Sequence, residues 1–148
     1  DGLMDAEVTI DMTSITVADL SPDATARLVG HLKSPDFFNT DAFKAATFKT
    51  THVEGIPGAE TGKPNYTVTG DLTIKGVTKP VTFAVLAWQE KKDVRAAGTM
   101  TFDRTLYDIK FRSGQFFGDL GDKMIDDTVE LTFDLVGRSE LLVDPVFF

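Results

Sequence analysis

The fold is decided by residues 66–88, which read YTVTGDLTIKGVTKPVTFAVLAW. Apolar and polar side chains alternate through residues 66–74, and this period of two is typical of a strand with one buried and one solvent-facing side. The turn residues Lys75-Gly76 interrupt the alternation. Residues 81–88 carry apolar side chains on both faces, so we expect the outer face of this second strand to be covered by a helix or by a second subunit.

The same alternation recurs along most of the chain. Strand-like runs occupy residues 4–13, 46–53, 66–74, 81–88, 94–102, 106–111 and 129–135. Short strands at near-regular spacing indicate an antiparallel sandwich or barrel. The pattern therefore predicts a mainly β fold.

One helix is predicted between the first two strands. Ser21-Pro22-Asp23 supplies an N-cap, a proline at the first helical position and an acid in the first turn. Apolar residues recur every fourth position from Leu20 to Leu32. Because Pro35 disfavours helical geometry in the residue before it, the helix is expected to end near Ser34. The fold class is mainly β with one short inserted α-helix.

The composition argues against several classes of function. A chain of 148 residues fits one compact domain. Its 23 acidic and 15 basic residues give a net charge of -8, which repels nucleic acid and anionic lipid headgroups. The lack of cysteine excludes disulfides and thiolate chemistry. Neither an apolar run of about 18 residues nor a signal-peptide pattern is visible, and the compartment stays open on composition alone.

Residues for catalysis or metal binding are few. Nucleophilic catalysis needs a base beside the nucleophile, and the chain has two histidines. Ser113 lacks the first glycine of a G-x-S-x-G elbow and is interpreted as a turn residue. His52 is interpreted as a partly buried strand residue, and neither histidine stands in a metal motif. The aspartates of residues 119–127 do not have EF-hand spacing. No enzyme activity, cofactor or metal is predicted.

The aromatic residues leave two alternatives open. The chain has twelve phenylalanines against two tyrosines and one tryptophan. Its interior is therefore rich in aromatic surface without polar groups. These rings either fill a solid core or line a cavity for one apolar ligand, which a barrel of about eight strands can hold.

Two runs of sequence carry a family resemblance. The first is HLKSPDFF at residues 31–38, followed by ATFKT at residues 46–50. The second is DLTIKGVTKPVTF at residues 71–83. Both resemble signatures of the YceI-like family, H-L-K/R-S-x-D/E-F-F with a following T-F, and G-x-L-T-I/L-K/R-G-V-T. Together with the first and last strands, the similarity spans nearly the whole chain.

The resemblance implies a fold and a function. Members of the family are bacterial and commonly exported, and their lipocalin-like antiparallel barrel holds a long polyisoprenoid chain. A protein of this kind carries or sequesters an isoprenoid lipid of polyprenyl or quinone type and catalyses nothing. The resemblance also implies a periplasmic or secreted location.

The resemblance and the alternation together nominate ligand-binding residues. The wall candidates are Leu72, Ile74, Val81, Phe83, Val85, Met100, Phe102, Leu131 and Phe133. Phe37 and Phe38 are expected to gate or floor the cavity beside the helix. Arg104, His31 and Lys33 are the candidate donors to a headgroup at the mouth. For these three, the alternatives are an ion pair of Arg104 with Asp103 or Asp108, a surface position for His31 and a solvated helix end for Lys33.

The chain departs from the family pattern at its start. Family members begin with two further strands, whereas this chain begins within what would be the third, so a barrel domain of residues 1–138 is expected to have open edges. Two alternatives are open: the sequence is a processed or incomplete portion of the protein, or another segment closes the sheet. That segment is either residues 141–148 of the apolar tail at residues 139–148, or a neighbouring chain in a homodimer or another partner. An alternative function is an interaction subunit with a filled barrel, which docks through its outer apolar strand and its tail.

Overall fold

The structure, a computed structural model, describes residues 5–114, 116, 118 and 120–138. These residues form a six-stranded antiparallel sheet whose strands follow one another in chain order. The strands are β1 Glu7–Asp11, β2 Ala45–Gly55, β3 Tyr66–Ile74, β4 Val77–Glu90, β5 Asp93–Asp103 and β6 Thr128–Arg138. A single α-helix in this part of the chain, α1 Pro22–Lys33, connects β1 to β2. The mainly β class with one inserted helix is confirmed.

The helix begins and ends where the sequence predicts. The Ser21 hydroxyl accepts a hydrogen bond from the Ala24 N–H at 3.4 Å, and Pro22 opens the first turn. Ser34 has extended geometry, as expected for a residue that precedes Pro35. These local signals are enough to set both ends.

The hairpin between β3 and β4 turns on the two residues that interrupt the alternation. Lys75 and Gly76 have φ values of 55° and 76°. Two-residue hairpins of the common type I′ require positive φ at both positions. The turn fixes the register between Ile74 and Val77, and the following pairs place alternate side chains of both strands on the same face.

The sheet curls into a half-barrel. Each strand pairs with its neighbours in the chain, and within the described residues β1 and β6 are not paired with each other. Side chains from both of these edge strands nevertheless line one cavity, which shows how far the sheet curls. The tail at residues 139–148, a candidate for closing the sheet, lies outside the described residues.

The prediction of a strand at residues 106–111 is wrong, because this segment forms a turn. A 3₁₀ turn, Arg104–Tyr107, follows β5, and Asp108 then adopts a left-handed conformation with φ of 59°. The Asp103 carboxylate accepts hydrogen bonds from the N–H and the hydroxyl of Thr105 at 2.9 and 2.6 Å. This local capping ends the strand despite the alternation that follows it.

The outer face of β4 is not covered by α1. Trp88 on that face is 40% exposed. The last turn of α1 instead contacts Phe111, whose ring centroid lies 4.6 Å from that of His31. The expectation that the helix covers this face is therefore wrong, and a second subunit remains the predicted cover.

Candidate functional site

An apolar cavity of about 360 Å³ lies on the concave side of the sheet and is partly open to solvent. All of its lining residues except Thr50 and Thr132 are apolar. They are Ala6, Val8, Ile10, Met12, Phe38, Ala46, Phe48, Thr50, Val68, Leu72, Ile74, Phe83, Val85, Ala96, Met100, Phe102, Val129, Leu131, Thr132, Phe133 and Leu135. None of the lining residues that the structure describes is charged, so the cavity suits hydrocarbon.

The alternation of the strands produces this lining. Inward positions of β3 carry Val68, Leu72 and Ile74, whereas the positions between them carry polar side chains. Threonine hydroxyls pair across the outer face, in the pairs Thr69–Thr82, Thr73–Thr78 and Thr99–Thr132. Polar groups therefore hydrogen-bond outside while the interior stays apolar.

Three rings form what we name the phenylalanine row: Phe48, Phe83 and Phe133. The ring centroids of Phe48 and Phe83 are 5.3 Å apart, and those of Phe83 and Phe133 are 5.6 Å apart. The Phe48 ring lies over Gly70, and the Phe133 ring lies over Gly98. A Cβ atom at Gly98 would come within 2.9 Å of Phe133 Cζ, so the ring position depends on glycine there.

The structure brings most of the predicted wall residues together. Eight of them lie in the cavity lining: Leu72, Ile74, Phe83, Val85, Met100, Phe102, Leu131 and Phe133. Val81 packs against the core next to the lining. Phe38 also lines the cavity, whereas Phe37 packs behind it, edge to face at 5.1 Å. Whether these side chains contact a ligand stays a prediction.

His31 lies in an aromatic cluster away from the cavity lining. Its ring lies 4.6 Å from that of Phe111 and 5.8 Å from that of Phe37, measured between centroids. The Nε2 atom is buried and has no hydrogen-bond partner within the described ranges. The imidazole therefore packs between α1 and the segments that follow it, and the structure does not bring it to the lining.

Arg104 is not at the mouth of the cavity. The residue is fully buried, and its guanidinium donates to the backbone carbonyls of Asp126, Ile109 and Ile125, each at 2.9 Å. The prediction that it faces a headgroup at the mouth is wrong. Three of its five N–H donors hold two loop segments together, and the whole side chain is buried away from solvent.

The charge of Arg104 is balanced inside the protein. Its Nη2 atom lies 3.8 Å from a carboxylate oxygen of Asp127, and its guanidinium lies 5.4 Å from the centre of the Phe37 ring. Burial lowers the pKa of Arg104 below its ordinary value, and the Asp127 charge opposes that shift. The alternative prediction, that Arg104 forms a structural ion pair, is correct, but its partner is Asp127 instead of Asp103 or Asp108.

Lys33 ties the end of α1 to the 3₁₀ turn Met12–Ser14, which follows β1. Its Nζ donates to the Thr13 carbonyl at 2.8 Å. Met12, the residue before Thr13, lines the cavity. Of the three predicted headgroup donors, Lys33 is therefore the one whose contact lies next to the lining.

The sequence interpretation missed part of the site. The lining residues that it did not nominate are Ala6, Val8, Ile10, Met12, Ala46, Phe48, Thr50, Val68, Ala96, Val129, Thr132 and Leu135. Most of them could have been predicted from the alternation of apolar and polar residues, since the first strand alternates as clearly as the third. Thr132 could not have been predicted in this way, because its hydroxyl pairs with that of Thr99 on the outer face.

Two further properties concern the described part of the chain. It contains no group of three or more histidine, aspartate or glutamate residues placed to hold a metal ion. None of its helices has the length and hydropathy that a membrane span requires.

Comparison with known sequences gives one family. A family model described as a YceI-like domain matches residues 2–137. A UPF0312 protein of Ectopseudomonas mendocina is 34% identical over 125 residues, which are 84% of this chain and 61% of the relative. A UPF0312 protein of Photorhabdus laumondii is 36% identical over 118 residues, which are 80% of this chain and 57% of the relative. The chain thus spans about three fifths of the length of these relatives.

Comparison with solved structures gives the same fold. The crystal structure of Burkholderia cenocepacia BcnA matches with a TM-score of 0.67 and 26% identity, over 90% of this chain and 74% of that one. A crystal structure of the Campylobacter jejuni YCEI protein matches with a TM-score of 0.65, over 93% of this chain and 74% of that one. At 17% identity, the second match shows the fold alone.

Proposed function

This chain belongs to the YceI-like family, and from that premise we propose that it binds the hydrocarbon part of an isoprenoid lipid, of polyprenyl or quinone type, and carries or sequesters it without catalysis. The observation that carries the proposal is the apolar cavity of about 360 Å³. The family resemblance indicates the class of ligand, and the apolar lining of the cavity suits the hydrocarbon chain of such a ligand.

Hydrophobic transfer accounts for the binding energy. Each methylene that moves from water into the cavity contributes about 0.8 kcal/mol, so ten buried carbons contribute about 8 kcal/mol. Association and ordering of the ligand cost at least about 4 kcal/mol. Ten buried carbons therefore leave a surplus of at most about 4 kcal/mol, and affinity rises further with each additional carbon that the protein buries.

The headgroup stays outside the cavity in this proposal. No charge lines the cavity within the described residues, so a phosphate or quinone ring inside would lose hydration without replacement. Phe38, supported by Phe37, forms the floor. Lys33, held beside Met12, is the cation that we assign to a headgroup. In this proposal His31 does not contact the headgroup; it supports the floor of the cavity by packing on Phe37.

The remaining features agree with a binding protein. The family has a binding-type barrel and is not a known enzyme family. The relatives compared above are bacterial. We place the protein in the periplasm or outside the cell on the basis of this relationship.

Organic extraction of the purified protein followed by mass spectrometry tests the proposal. An isoprenoid lipid should co-purify with the wild type and be lost from Phe83→Asp, whose carboxylate would lie in the cavity. Thr82→Asp is the matched control, because it adds the same charge at the next position on the exposed face. An empty wild-type extract, combined with no binding of added prenyl alcohols, contradicts the proposal.

The second candidate is an interaction subunit that docks through its outer face. Trp88 and Val136 on this face are 40% and 55% exposed, and Arg95 lies between them in the register of β4, β5 and β6. Exposed apolar residues on neighbouring strands are typical of protein contacts. Sedimentation of the wild type and of Trp88→Asp distinguishes the two: a monomeric wild type with bound lipid contradicts the interaction subunit.

A further inference from the structure

We infer that Thr50 is a hydrogen-bond donor inside the cavity and selects ligands whose buried chain carries one neutral carbonyl oxygen, such as a ketone or an ester. This inference rests on the proposed function, since it concerns which chains the same cavity accepts. It adds a polar determinant of specificity to a lining that is otherwise almost entirely apolar.

Thr50 lies in the wall of the cavity, halfway along β2. The buried positions Ala46, Phe48 and Thr50 alternate with more exposed ones, and all three side chains line the cavity. Thr50 itself is 7% exposed. At about 3.3 Å per residue, it lies about 13 Å along the strand from Ala46. Its hydroxyl group is therefore placed beside the middle of a bound chain and not at either end of the strand.

The Thr50 hydroxyl accepts one hydrogen bond and has a proton to donate. Its oxygen accepts from the Ala6 N–H at 2.9 Å, and the Thr50 N–H donates to the Ala6 carbonyl at 3.0 Å. Within residues 5–114, 116, 118 and 120–138, the hydroxyl group has no other hydrogen-bond partner. A hydroxyl group offers one donor in addition to its acceptor lone pairs. That donor is available to a group in the cavity.

The second threonine of the lining does not offer such a donor. The hydroxyl groups of Thr132 and Thr99 pair at 3.1 Å on the outer face of the sheet. All other lining residues in the described part of the chain have apolar side chains. Among them, Thr50 is thus the residue whose side chain can donate to a ligand.

A single donor determines which polar group the cavity accepts. A phosphate carries charge and several oxygens, and a quinone ring carries two carbonyls, so one hydroxyl group would leave most of these oxygens without a donor. A ketone or ester carbonyl is neutral, and one donor replaces the water that it loses. The hydrogen bond is also stronger in an apolar cavity than in water. A chain with one carbonyl therefore fits inside while a charged headgroup stays outside.

Two prenyl probes that differ only at the carbonyl test the inference. Farnesylacetone carries a ketone at the end of its prenyl chain, and its hydrocarbon analogue has a methylene group in place of the ketone oxygen. Displacement of the fluorescent probe N-phenyl-1-naphthylamine gives both affinities. In Thr50→Val, the affinity for farnesylacetone should fall about threefold to tenfold further than the affinity for the analogue. Thr50→Ser, which keeps the hydroxyl group, should retain the wild-type ratio of the two affinities.

Thr51→Val is the matched control. Thr51 is exposed and its hydroxyl donates to the Thr69 carbonyl at 3.3 Å, so the same substitution there should change neither affinity. Infrared spectroscopy of bound farnesylacetone gives a second readout. Because a hydrogen bond weakens the C=O bond, the carbonyl stretch should lie at lower frequency in the wild type than in Thr50→Val or in hexane. The comparison with hexane needs no variant, so it decides the matter if Thr50→Val does not fold.

The outcomes separate the inference from the proposed function. If neither probe binds the wild type, the proposed function fails and the inference fails with it. If both probes bind and Thr50→Val weakens them equally, Thr50 acts only through its contact with Ala6, and the inference is overturned while the proposed function stands. A carbonyl frequency in the wild type equal to that in hexane overturns the inference in the same way.

Discussion

Replacement of Arg104 by methionine should be among the most destabilising single changes in the interior. The guanidinium holds three backbone carbonyls at 2.9 Å, and the substitution leaves these carbonyls without their donor and the nearby Asp127 carboxylate without its opposing charge. An unsatisfied buried carbonyl costs about 1–3 kcal/mol. Removing one partner of a buried charge pair typically costs about 3–5 kcal/mol in total.

We therefore expect the free energy of unfolding to fall by about 4 kcal/mol. With a urea dependence of about 2 kcal/mol per molar, the unfolding midpoint should move down by about 2 M. Urea unfolding followed by circular dichroism measures both. Arg112→Met is the control, because Arg112 is exposed and its contact with the Phe111 ring is worth about 0.5–1 kcal/mol.

A loss below about 1 kcal/mol would refute the structural role of Arg104. Lipid retention gives a second readout. A variant that keeps its stability but releases the co-purified lipid would return Arg104 to the headgroup role that its buried position contradicts.

Three further predictions follow from single contacts. The Tyr107 hydroxyl is buried without a partner in the described part of the chain, so Tyr107→Phe should stabilise the protein by about 1 kcal/mol. Burial raises the pKa of Tyr107, so the folded protein favours the neutral phenol; the wild type should keep its stability below pH of about 10 and lose stability relative to Tyr107→Phe as the pH rises towards the raised pKa, which unfolding curves at alkaline pH measure. Hydrogen bonds from Thr13 lower the pKa of Asp11, so the stability difference between the wild type and Asp11→Ala should be present above pH of about 3.9 and vanish as pH falls through the lowered pKa. Gly98→Ala should cost about 1–3 kcal/mol in thermal unfolding, whereas Gly137→Ala, whose Cβ would have its nearest neighbour at 3.9 Å, should cost less; equal losses would contradict the tight fit at Gly98.

Local chemistry explains what could be predicted from the sequence. The ends of α1 depend on Ser21, Pro22 and Pro35, which act on adjacent residues, and the turn at Lys75-Gly76 needs only two positive φ angles. The cavity walls follow from the period of two. These signals are contained in short windows of sequence, so no knowledge of distant contacts is needed.

The position of Arg104 could not be predicted in this way. Its acceptors lie at residues 109, 125 and 126, and the last two reach it only when the chain returns before β6. The run at residues 106–111 alternates like a strand, but Asp103 caps a turn instead. In both cases, contacts that the alternation does not encode decide the structure.

The order of the strands has a consequence for how the protein folds. Turns of two residues join β3 to β4 and β4 to β5, whereas residues 12–44 and 104–127 must be closed before β1 and β6 can pair. Because loop closure over longer segments costs more entropy and slows folding, we expect the central meander to form first. Amide exchange should then be slowest in β3 and β4, and the cavity, which needs both edge strands, should be completed in the last step of folding.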